Sequence, residues 1–243
     1  MHDSLFIQSR LIATLLTAMF VVPTHAADIT TSNASEQAEQ RQKDDQDNAP
    51  ILNGCVLEPG TQCQGVDLRG ANLAHLDQSG ADFSNAQLDN CDLRHSVLKN
   101  INLEGASLKN CQLSRADLRH ANLRRAQLQG AQLQAIQGWS LFAQGANLEG
   151  ADLSGANLEF ARITGANFRN STLAYADLEM AWANKLNLQN ARLNSANLQE
   201  AKLSGSNMQG ADMRGARIHY ATFLDINMDG CQGCPLNWQK SWQ

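Results

Sequence analysis

The sequence predicts a solenoid, in which the chain turns a corner every five residues and stacks its coils on one another. An unbroken five-residue register runs from Thr61 to Gly230 of the 243-residue chain. The third residue of each five-residue block, hereafter the large column, is Leu, Ile, Met or Phe in 29 of the 34 blocks. The first residue of each block, hereafter the small column, is Ala, Cys, Ser or Thr in 27 of the 34 blocks. This period fits neither an α-helix nor a β-strand. Because one coil cannot bury its own large side chains, successive coils must cover one another.

The other positions of each block suit a corner of the chain. The residue between the small and the large one is mostly Asn, Asp or Gln, and Asn and Asp side chains hydrogen-bond to nearby backbone in turns. Gly ends 13 of the blocks, and Gly adopts a positive φ without steric cost. We therefore expect one large and one small side chain of each block inside the solenoid and the polar side chains outside.

Several blocks carry a known family motif. ANLEG (146–150), ADLSG (151–155) and ANLEF (156–160) match A-(D/N)-L-x-x, so that residues 61–230 resemble the pentapeptide-repeat family. The resemblance implies an all-β fold, a right-handed quadrilateral parallel β-helix with four blocks, or twenty residues, in each of about eight coils. At ~4.8 Å between stacked strands, eight coils make a rod about 40 Å long. We expect an N-terminal cap at 51–65, the β-helix at 66–230 and a C-terminal cap at 231–243.

The N-terminus predicts export. An apolar run, LIATLLTAMFVV, spans residues 11–22 and is followed by Pro23 and by small residues up to Ala26. The run is too short for a membrane span, which needs ~20 residues, but it is typical of a signal peptide. The sequence therefore predicts a signal peptide at 1–26, cut after Ala26, a periplasmic or secreted protein, and no membrane span.

Residues 27–50 differ from the rest of the chain in composition. They contain six acidic and two basic residues and almost no large apolar side chains. Such a segment buries too little surface to offset the entropy of ordering, which predicts a disordered polar spacer. A short polar helix near 36–43 is the alternative.

Net charge limits the partners that the chain can have. The formal charge is −5, but residues 51–243 hold 16 basic and 17 acidic residues. The repeat also resembles that of the family's quinolone-resistance proteins, which mimic DNA and bind gyrase. A DNA mimic needs a strongly acidic surface and residence in the cytoplasm, and the sequence predicts neither. No nucleic-acid partner is expected either, because the basic residues of 94–125 are spread over several faces.

With twenty residues in a coil, residues twenty apart become stacked neighbours. This spacing gathers large apolar and cationic side chains on one edge, hereafter the aromatic edge: Trp139, Phe142, Phe160, Arg162, Met180, Trp182, Lys202 and Tyr220. A cluster of exposed apolar groups is typical of an interaction site. Alternatively, the rings close over the undersized core residues Ala143 and Ala183 and only seal the core. The sequence leaves both interpretations open.

The stretch IQGWSLFAQG at 136–145 departs from the motif. Ile136 precedes Gly138 and Leu141 precedes Ala143, so the large and small inward residues have changed places. Interior volume is then roughly conserved, as close packing requires. A looped-out insertion of ten residues would keep the same register and is the alternative. Leu76 and Gln78 show the same reversed order.

Six cysteines in an exported chain predict disulfides. We expect Cys55 to pair with Cys63 and Cys231 with Cys234, which would staple the two ends of the solenoid. Cys91 and Cys111 stack about 4.8 Å apart, which is within reach of a bond. Because parallel strands in register orient the two Cβ atoms poorly and Cys is also a good small core residue, free thiols are favoured for this pair.

No candidate catalytic constellation is present in the sequence. We find no nucleophile–base pair, phosphate-binding loop or paired carboxylates, and the stacked His75 and His95 lack further metal ligands. The sequence therefore predicts no enzyme, no cofactor and no metal. The leading hypothesis is a non-catalytic exported scaffold that presents the aromatic edge to a protein or envelope partner. A gyrase-binding DNA mimic and a protein that binds an envelope polymer or mediates adhesion are the alternatives.

Overall fold

The structure is a computed structural model that describes residues 49–235. Within this range the chain is an all-β solenoid that contains no α-helix. The predicted signal peptide at 1–26, all but the last two residues of the predicted spacer at 27–50, and residues 236–243 of the predicted C-terminal cap lie outside the described residues.

A short hairpin precedes the repeats. Strand β1 (Ile51–Leu52) pairs antiparallel with β2 (Cys55–Val56), and Asn53 and Gly54 between them have φ values of 51° and 80°. Positive φ at both central residues is typical of the two-residue turn whose twist matches a hairpin. Cys55 and, just after the hairpin, Leu57 are buried. The segment therefore contributes apolar cover at the N-terminal end of the repeats.

Coil stacking is visible in the backbone ladder. Single-residue parallel bridges recur every five residues, and each joins a residue to the one twenty positions further on, from Gln62 with Asp82 to Asp212 with Gln232. At a typical coil, Leu103 N donates to Asn122 O at 2.7 Å, and Asn122 N donates to Ile101 O at 2.8 Å. Four blocks therefore make one coil, as the resemblance to the pentapeptide-repeat family implies.

The inside and outside of the solenoid follow the predicted columns. Leu103 and Leu108 of the large column and Ala106 and Ala116 of the small column are all fully buried. Each large side chain packs beside small ones, which gives one continuous apolar core. Mostly polar residues occupy the outward positions between them.

The corners also match the expectation. Gly150 ends its block with a φ of 68°, but non-glycine residues adopt the same conformation at this position, among them Asn110 at 56° and Phe160 at 57°. Side chains of the preceding outward column support the turn: Asn102 Oδ1 accepts a hydrogen bond from Glu104 N at 3.2 Å. The predicted hydrogen bonding of these polar side chains to backbone is confirmed.

The stretch 136–145 keeps the register and is not looped out. Gln137 pairs with Asp117 and Asn157 on either side. A Cβ placed on Gly138 would collide with Cδ2 of Leu141, so Leu141 occupies the space that the large residue of that block normally fills. The predicted exchange of volumes is confirmed. It leaves an apolar cavity of about 20 Å³ nearby.

The pair Leu76 and Gln78 behaves differently from the predicted exchange. Gln78 is fully buried in the large column, whereas Leu76 is only partly buried. Among residues 49–235, the side-chain oxygen and nitrogen of Gln78 have no hydrogen-bond partner. The long amide side chain fills the large position itself, because it reaches as far into the core as a leucine does, and no volume is exchanged.

All six cysteines are bonded in the structure. The pairs are Cys55 with Cys63, Cys231 with Cys234, and Cys91 with Cys111. The first two are the predicted pairs at the ends of the repeats. The third pair, Cys91 with Cys111, is bonded, whereas the sequence favours free thiols there. The two Cα atoms are 4.7 Å apart, because the two coils stack directly on each other. This distance allows a disulfide without any change of the backbone.

Candidate interaction edge

The outward column that carries Phe142 is built by the coil ladder. Phe142, Arg162, Trp182 and Lys202 are bridge partners in succession. Their neighbours in the block are inward, so each of these side chains leaves the solenoid on the same face. The ladder thus converts residues twenty apart into a row that alternates aromatic and cationic groups.

A second column runs along the adjoining corner. It contains His120, Ser140, Phe160 and Met180, which end their blocks with φ between 55° and 60°. Ser140 is much smaller than the residues before and after it in this column. The surface is therefore hollow at Ser140, with larger side chains around it.

Trp139 lies beside this hollow and contacts rings from both neighbouring coils. Its ring centroid is 4.9 Å from that of His120, edge to face, and 5.9 Å from that of Phe160 in a similar T-shaped arrangement. Both geometries are those that aromatic quadrupoles prefer. The three rings form a connected ridge that spans three coils.

Two arginines stack on Phe142. The guanidinium carbon of Arg124 is 4.6 Å from the ring centroid, and that of Arg162 is 5.3 Å away. Within residues 49–235, neither arginine forms a salt bridge. Their charge is therefore available to a partner, and each cation–π contact contributes about 0.5–1 kcal/mol at an exposed site.

These side chains enclose a depression, hereafter the aromatic groove, of about 440 Å³. It is lined by His120, Trp139, Ser140, Phe142, Phe160, Arg162 and Trp182. Trp139 is 37% exposed, Phe160 38% and Trp182 58%. Large apolar surfaces are therefore open to solvent around a concave site.

A second depression of about 430 Å³, hereafter the polar groove, lies on the other side of Trp139. It is lined by Lys99, Asn100, Arg119, His120, Gln137, Trp139 and Asn157. His120 and Trp139 line both grooves, and so form the boundary between them. The pair of grooves extends the site beyond the predicted edge.

Asp117 forms ion pairs with two cationic side chains of the polar groove. Arg119 Nη2 lies 2.7 Å and Lys99 Nζ 3.6 Å from Asp117 Oδ2. The hydrogen bonds from the Arg119 side chain lower the pKa of the Asp117 carboxyl, burial opposes this effect, and the charges of Arg119 and Lys99 lower the pKa further. Asp117 is thus ionised at neutral pH and holds both cations at the groove.

The structure brings five of the eight predicted edge residues to the aromatic groove. Met180, Lys202 and Tyr220 line neither groove. Lys202 is the ladder neighbour of Trp182, and Tyr220 packs on His219 with ring centroids 3.8 Å apart. These three residues continue the edge towards the C-terminal coils.

Three residues at the aromatic groove or on Phe142, namely His120, Ser140 and Arg124, are absent from the predicted edge. His120 and Ser140 stand in the same column as Phe160, so the twenty-residue spacing was a sufficient signal for both. Arg124 reaches Phe142 from the preceding coil and from a different column. No spacing rule indicates that contact, because it depends on the rotamers of two side chains.

The exposed rings are not needed to fill the space left by the missing side chain of Gly138. Leu141 fills it from within the core, and Trp139 keeps more than a third of its surface exposed. Ala143 and Ala183 are themselves buried beside Phe142 and Trp182. More than half of Trp182 is exposed, which is more than a core seal requires.

The other features that the sequence indicates form contacts within the solenoid. The basic side chains of 94–125 include four in ion pairs: Arg94 with Asp92, Lys99 and Arg119 with Asp117, and Arg125 with Glu104. His75 and His95 stack in parallel with centroids 5.1 Å apart.

In the part of the chain that the structure describes, no group of three or more His, Cys, Asp or Glu residues is arranged to hold a metal ion. The described residues also contain no helix of the length and apolar character that crossing a membrane requires.

The chain was compared with known families and structures. A family model for pentapeptide repeats matches in 8 copies, over residues 61–100, 101–135, 142–170, 151–190, 171–210 and 196–231. The matches omit residues 136–141, where the large and small residues are exchanged. None of the curated proteins matches the chain.

Similar solved structures are also pentapeptide-repeat proteins. QnrB1, a plasmid-mediated fluoroquinolone resistance protein, aligns with a TM-score of 0.58 at 18% identity over 71% of this chain and 92% of its own. HetL from the cyanobacterium Nostoc, which is involved in heterocyst differentiation regulation, is 25% identical over 69% of this chain and 89% of its own, with a TM-score of 0.34. A protein of the Arabidopsis thaliana thylakoid lumen is 33% identical over 39% and 66%, with a TM-score of 0.38. The likeness to QnrB1 shows the fold alone.

Proposed function

Because the chain belongs to the pentapeptide-repeat family, we propose that it is a non-catalytic exported scaffold that presents the aromatic edge to a protein or envelope partner. One observation carries this proposal: exposed Trp139, Phe160 and Trp182 surround a concave site together with arginines that have no carboxylate partner among residues 49–235. Tryptophan and arginine are the residue types that dominate binding energy in interfaces. A partner that buried these exposed apolar surfaces would gain a favourable free energy of binding.

Both the interior and the surface of the solenoid support the proposal that the protein is non-catalytic. The core is filled with aliphatic side chains, and the grooves of the edge contain no nucleophile hydrogen-bonded to a base. A scaffold needs a rigid surface rather than reactive groups, and a ladder of stacked coils supplies one.

Export is part of the same proposal. The apolar run at 11–22 is typical of a signal peptide, and three disulfides suit an oxidising compartment. We also propose a right-handed winding and about eight coils, as the family resemblance implies. Bridges at twenty-residue spacing from Gln62 to Gln232 support that number.

A gyrase-binding DNA mimic is the second candidate, because the repeat resembles that of the quinolone-resistance proteins; the likeness to QnrB1 shows that the fold is shared with a fluoroquinolone resistance protein. Residues 51–243 carry 16 basic and 17 acidic residues, however, whereas mimicry of a polyanion needs a strongly negative surface. The predicted export would also separate the protein from a cytoplasmic target. The scaffold is therefore the better-supported function.

The test is recovery of a partner from cell envelopes by the parent chain and by Trp139→Ala/Phe142→Ala/Trp182→Ala. Tyr175→Ala is the matched control, because Tyr175 is 69% exposed and lines neither groove. We expect the triple variant alone to lose the partner while it still melts in one cooperative transition, at a somewhat lower temperature because the ring contacts of Trp139 and Phe142 are lost. Equal recovery with a lower melting temperature would show that the rings only seal the core. Uncleaved full-length chain in the cytoplasm would contradict export.

A further inference from the structure

We propose that the aromatic groove and the polar groove together bind a short stretch of an acidic oligosaccharide. The inference rests on the proposed function and names the chemistry of its partner. The grooves are about 440 and 430 Å³ in volume, each within the range of small-ligand sites. They meet at His120 and Trp139, so a linear ligand can cross from one to the other over the indole.

The aromatic surfaces suit the apolar faces of sugar rings. Trp139, Phe142 and Phe160 present rings from two successive coils around the hollow at Ser140. A pyranose ring carries C–H groups on its faces and hydroxyls on its periphery, so it can pack on an aromatic ring while its polar groups point sideways. Phe142 and Trp182 lie two coils apart in one column, or about 10 Å, which is comparable to the length of a disaccharide.

Amide side chains suit the hydroxyl groups. Asn100, Gln137 and Asn157 line the polar groove, and each carboxamide supplies both donors and acceptors. Among residues 49–235, the carboxamides of Asn100 and Gln137 form no hydrogen bond that would have to be broken for a ligand. Hydroxyls of a sugar need partners of both kinds at once, and these side chains provide them beside the aromatic ridge.

The charge of the site specifies an acidic ligand. Lys99, Arg119 and Arg162 line the two grooves, whereas no Asp or Glu does. Arg124 adds a fourth cation over Phe142. Asp117 pairs with two of these cations, which leaves Arg124 and Arg162 for carboxylate groups of the ligand.

The backbone of this face argues against a peptide strand as the ligand. Phe142 N donates to Ala121 O at 2.9 Å, and Arg162 N donates to Leu141 O at 2.8 Å. Recognition by strand addition needs unpaired backbone groups at a sheet edge, and here the coil ladder uses them. The ligand must therefore be held by side chains alone, as an oligosaccharide is.

The experiment compares a defined oligogalacturonate, which has a carboxylate on every ring, with the same oligomer as its methyl ester. Binding to the full chain is measured by calorimetry and by tryptophan fluorescence. We expect saturable binding of the acid form, affinity lower by about tenfold for the ester, and weakening of the acid form by salt. Equal affinities for acid and ester would overturn the requirement for charge.

Two variants locate the site. Trp139→Ala removes the boundary between the grooves and should lower affinity for both oligomers by about tenfold. Arg162→Gln should lower affinity for the acid form only. Tyr175→Ala should bind as the parent does, and thermal melting of all three variants checks that they fold. Full affinity in Trp139→Ala would overturn the placement of the site.

Failure of both oligomers to bind would overturn the oligosaccharide proposal and leave the scaffold proposal standing on its own test. If a protein were then recovered by the parent and lost by the triple variant, the edge would be a protein-binding surface. If neither experiment found a partner, both proposals would fail.

Discussion

Gln78 is the residue that fits its surroundings least. Within the described range 49–235, four other polar residues are buried, namely Ser96, Ser171, Asn197 and Ser206, and each has a hydrogen-bond partner. Gln78 is fully buried, and neither its side-chain oxygen nor its side-chain nitrogen has a hydrogen-bond partner in the part of the chain that the structure describes. Its column is otherwise almost entirely apolar. Because an unsatisfied buried amide costs about 1–3 kcal/mol, this position lowers the stability of the first coils.

Replacing Gln78 by Leu should stabilise the protein. Gln78→Leu removes the unsatisfied amide and puts the usual residue of the column in a space of similar length, so we expect the free energy of unfolding to rise by about 1–3 kcal/mol. Denaturant unfolding measures the change. Gln87→Leu, at an exposed outward position, should alter it by no more than about 0.5 kcal/mol. A loss of stability in Gln78→Leu would show that the amide has a buried partner.

Gly138 is constrained by the exchange of volumes around it. A Cβ at this position would meet Cδ2 of Leu141 and, at 3.0 Å, the carbonyl oxygen of Asn157. Gly138→Ala should therefore lower the free energy of unfolding by about 1–3 kcal/mol. In Gly138→Ala/Leu141→Ala the clash with Leu141 is gone, so the double variant should lose less stability than the sum of the two single variants. Additive losses would contradict the shared space.

At the scale of the block, an Asp and the Arg two residues later form a recurring unit. In Asp117 and Arg119, Nε donates to Oδ1 at 2.8 Å, and Nη2 donates to Oδ2 at 2.7 Å. The same arrangement occurs at Asp67 with Arg69, Asp92 with Arg94, and Asp212 with Arg214. In all four, the hydrogen bonds from the arginine side chain are the largest cause of a lowered aspartate pKa.

This unit makes a pH-dependent contribution to stability. Because the folded pKa of Asp117 is lowered, its contribution is present above the unfolded value of about 3.9 and is lost as the pH falls through the folded value. Arg119→Gln should raise the pKa of Asp117, measured by NMR titration of the carboxyl. The difference in unfolding free energy between parent and variant should shrink in acid. Arg125→Gln should leave the Asp117 titration unchanged, and a difference that persisted in acid would contradict this account.

The Cys91–Cys111 bond joins two neighbouring coils, and its column offers a clean test. Ala71, Ala131 and Ala151 occupy the same column above and below, so Cys91→Ala/Cys111→Ala should pack normally. Loss of a bond that closes a loop of 20 residues should lower the free energy of unfolding by about 3 kcal/mol. Non-reducing mass spectrometry establishes whether the bond is present in the parent. An unchanged stability would show that the thiols are free.

Sequence spacing predicts neighbours along a column but not contacts between columns. Phe142 and Arg162 were predictable as neighbours because the backbone ladder sets their distance. Arg124 on Phe142 and the contacts of Trp139 were not, because rotamers are selected by the local surroundings. Cys91 and Cys111 show the same division: their Cα separation followed from the coil spacing, whereas the bond depends on the directions of the two Cβ atoms.

At the scale of the molecule, the aromatic edge exists only because the coils hold twenty residues. Trp139 and Tyr220 delimit a stretch of 82 residues, yet the ladder places the members of this stretch in adjacent columns. Coils in a solenoid contact only their neighbours, so the edge is set by local stacking repeated several times. The arrangement of outward columns can therefore be changed while the core is kept.

Deleting residues 146–150 (ANLEG) should separate the edge without removing any of its residues. The deletion takes out one whole block, so the inward columns stay in phase, but every later block moves by one face. Phe142 would then stack on Asn167 in place of Arg162, and the aromatic groove would be divided between two faces. We expect the far-ultraviolet circular dichroism and a cooperative melting transition to be retained, and binding of the acidic oligosaccharide and recovery of an envelope partner to be lost. Deleting residues 66–85, a complete coil away from the edge, is the control that should retain both kinds of binding. If the ANLEG deletion still bound either partner at parental affinity, individual side chains rather than their stacking across coils would be sufficient for recognition.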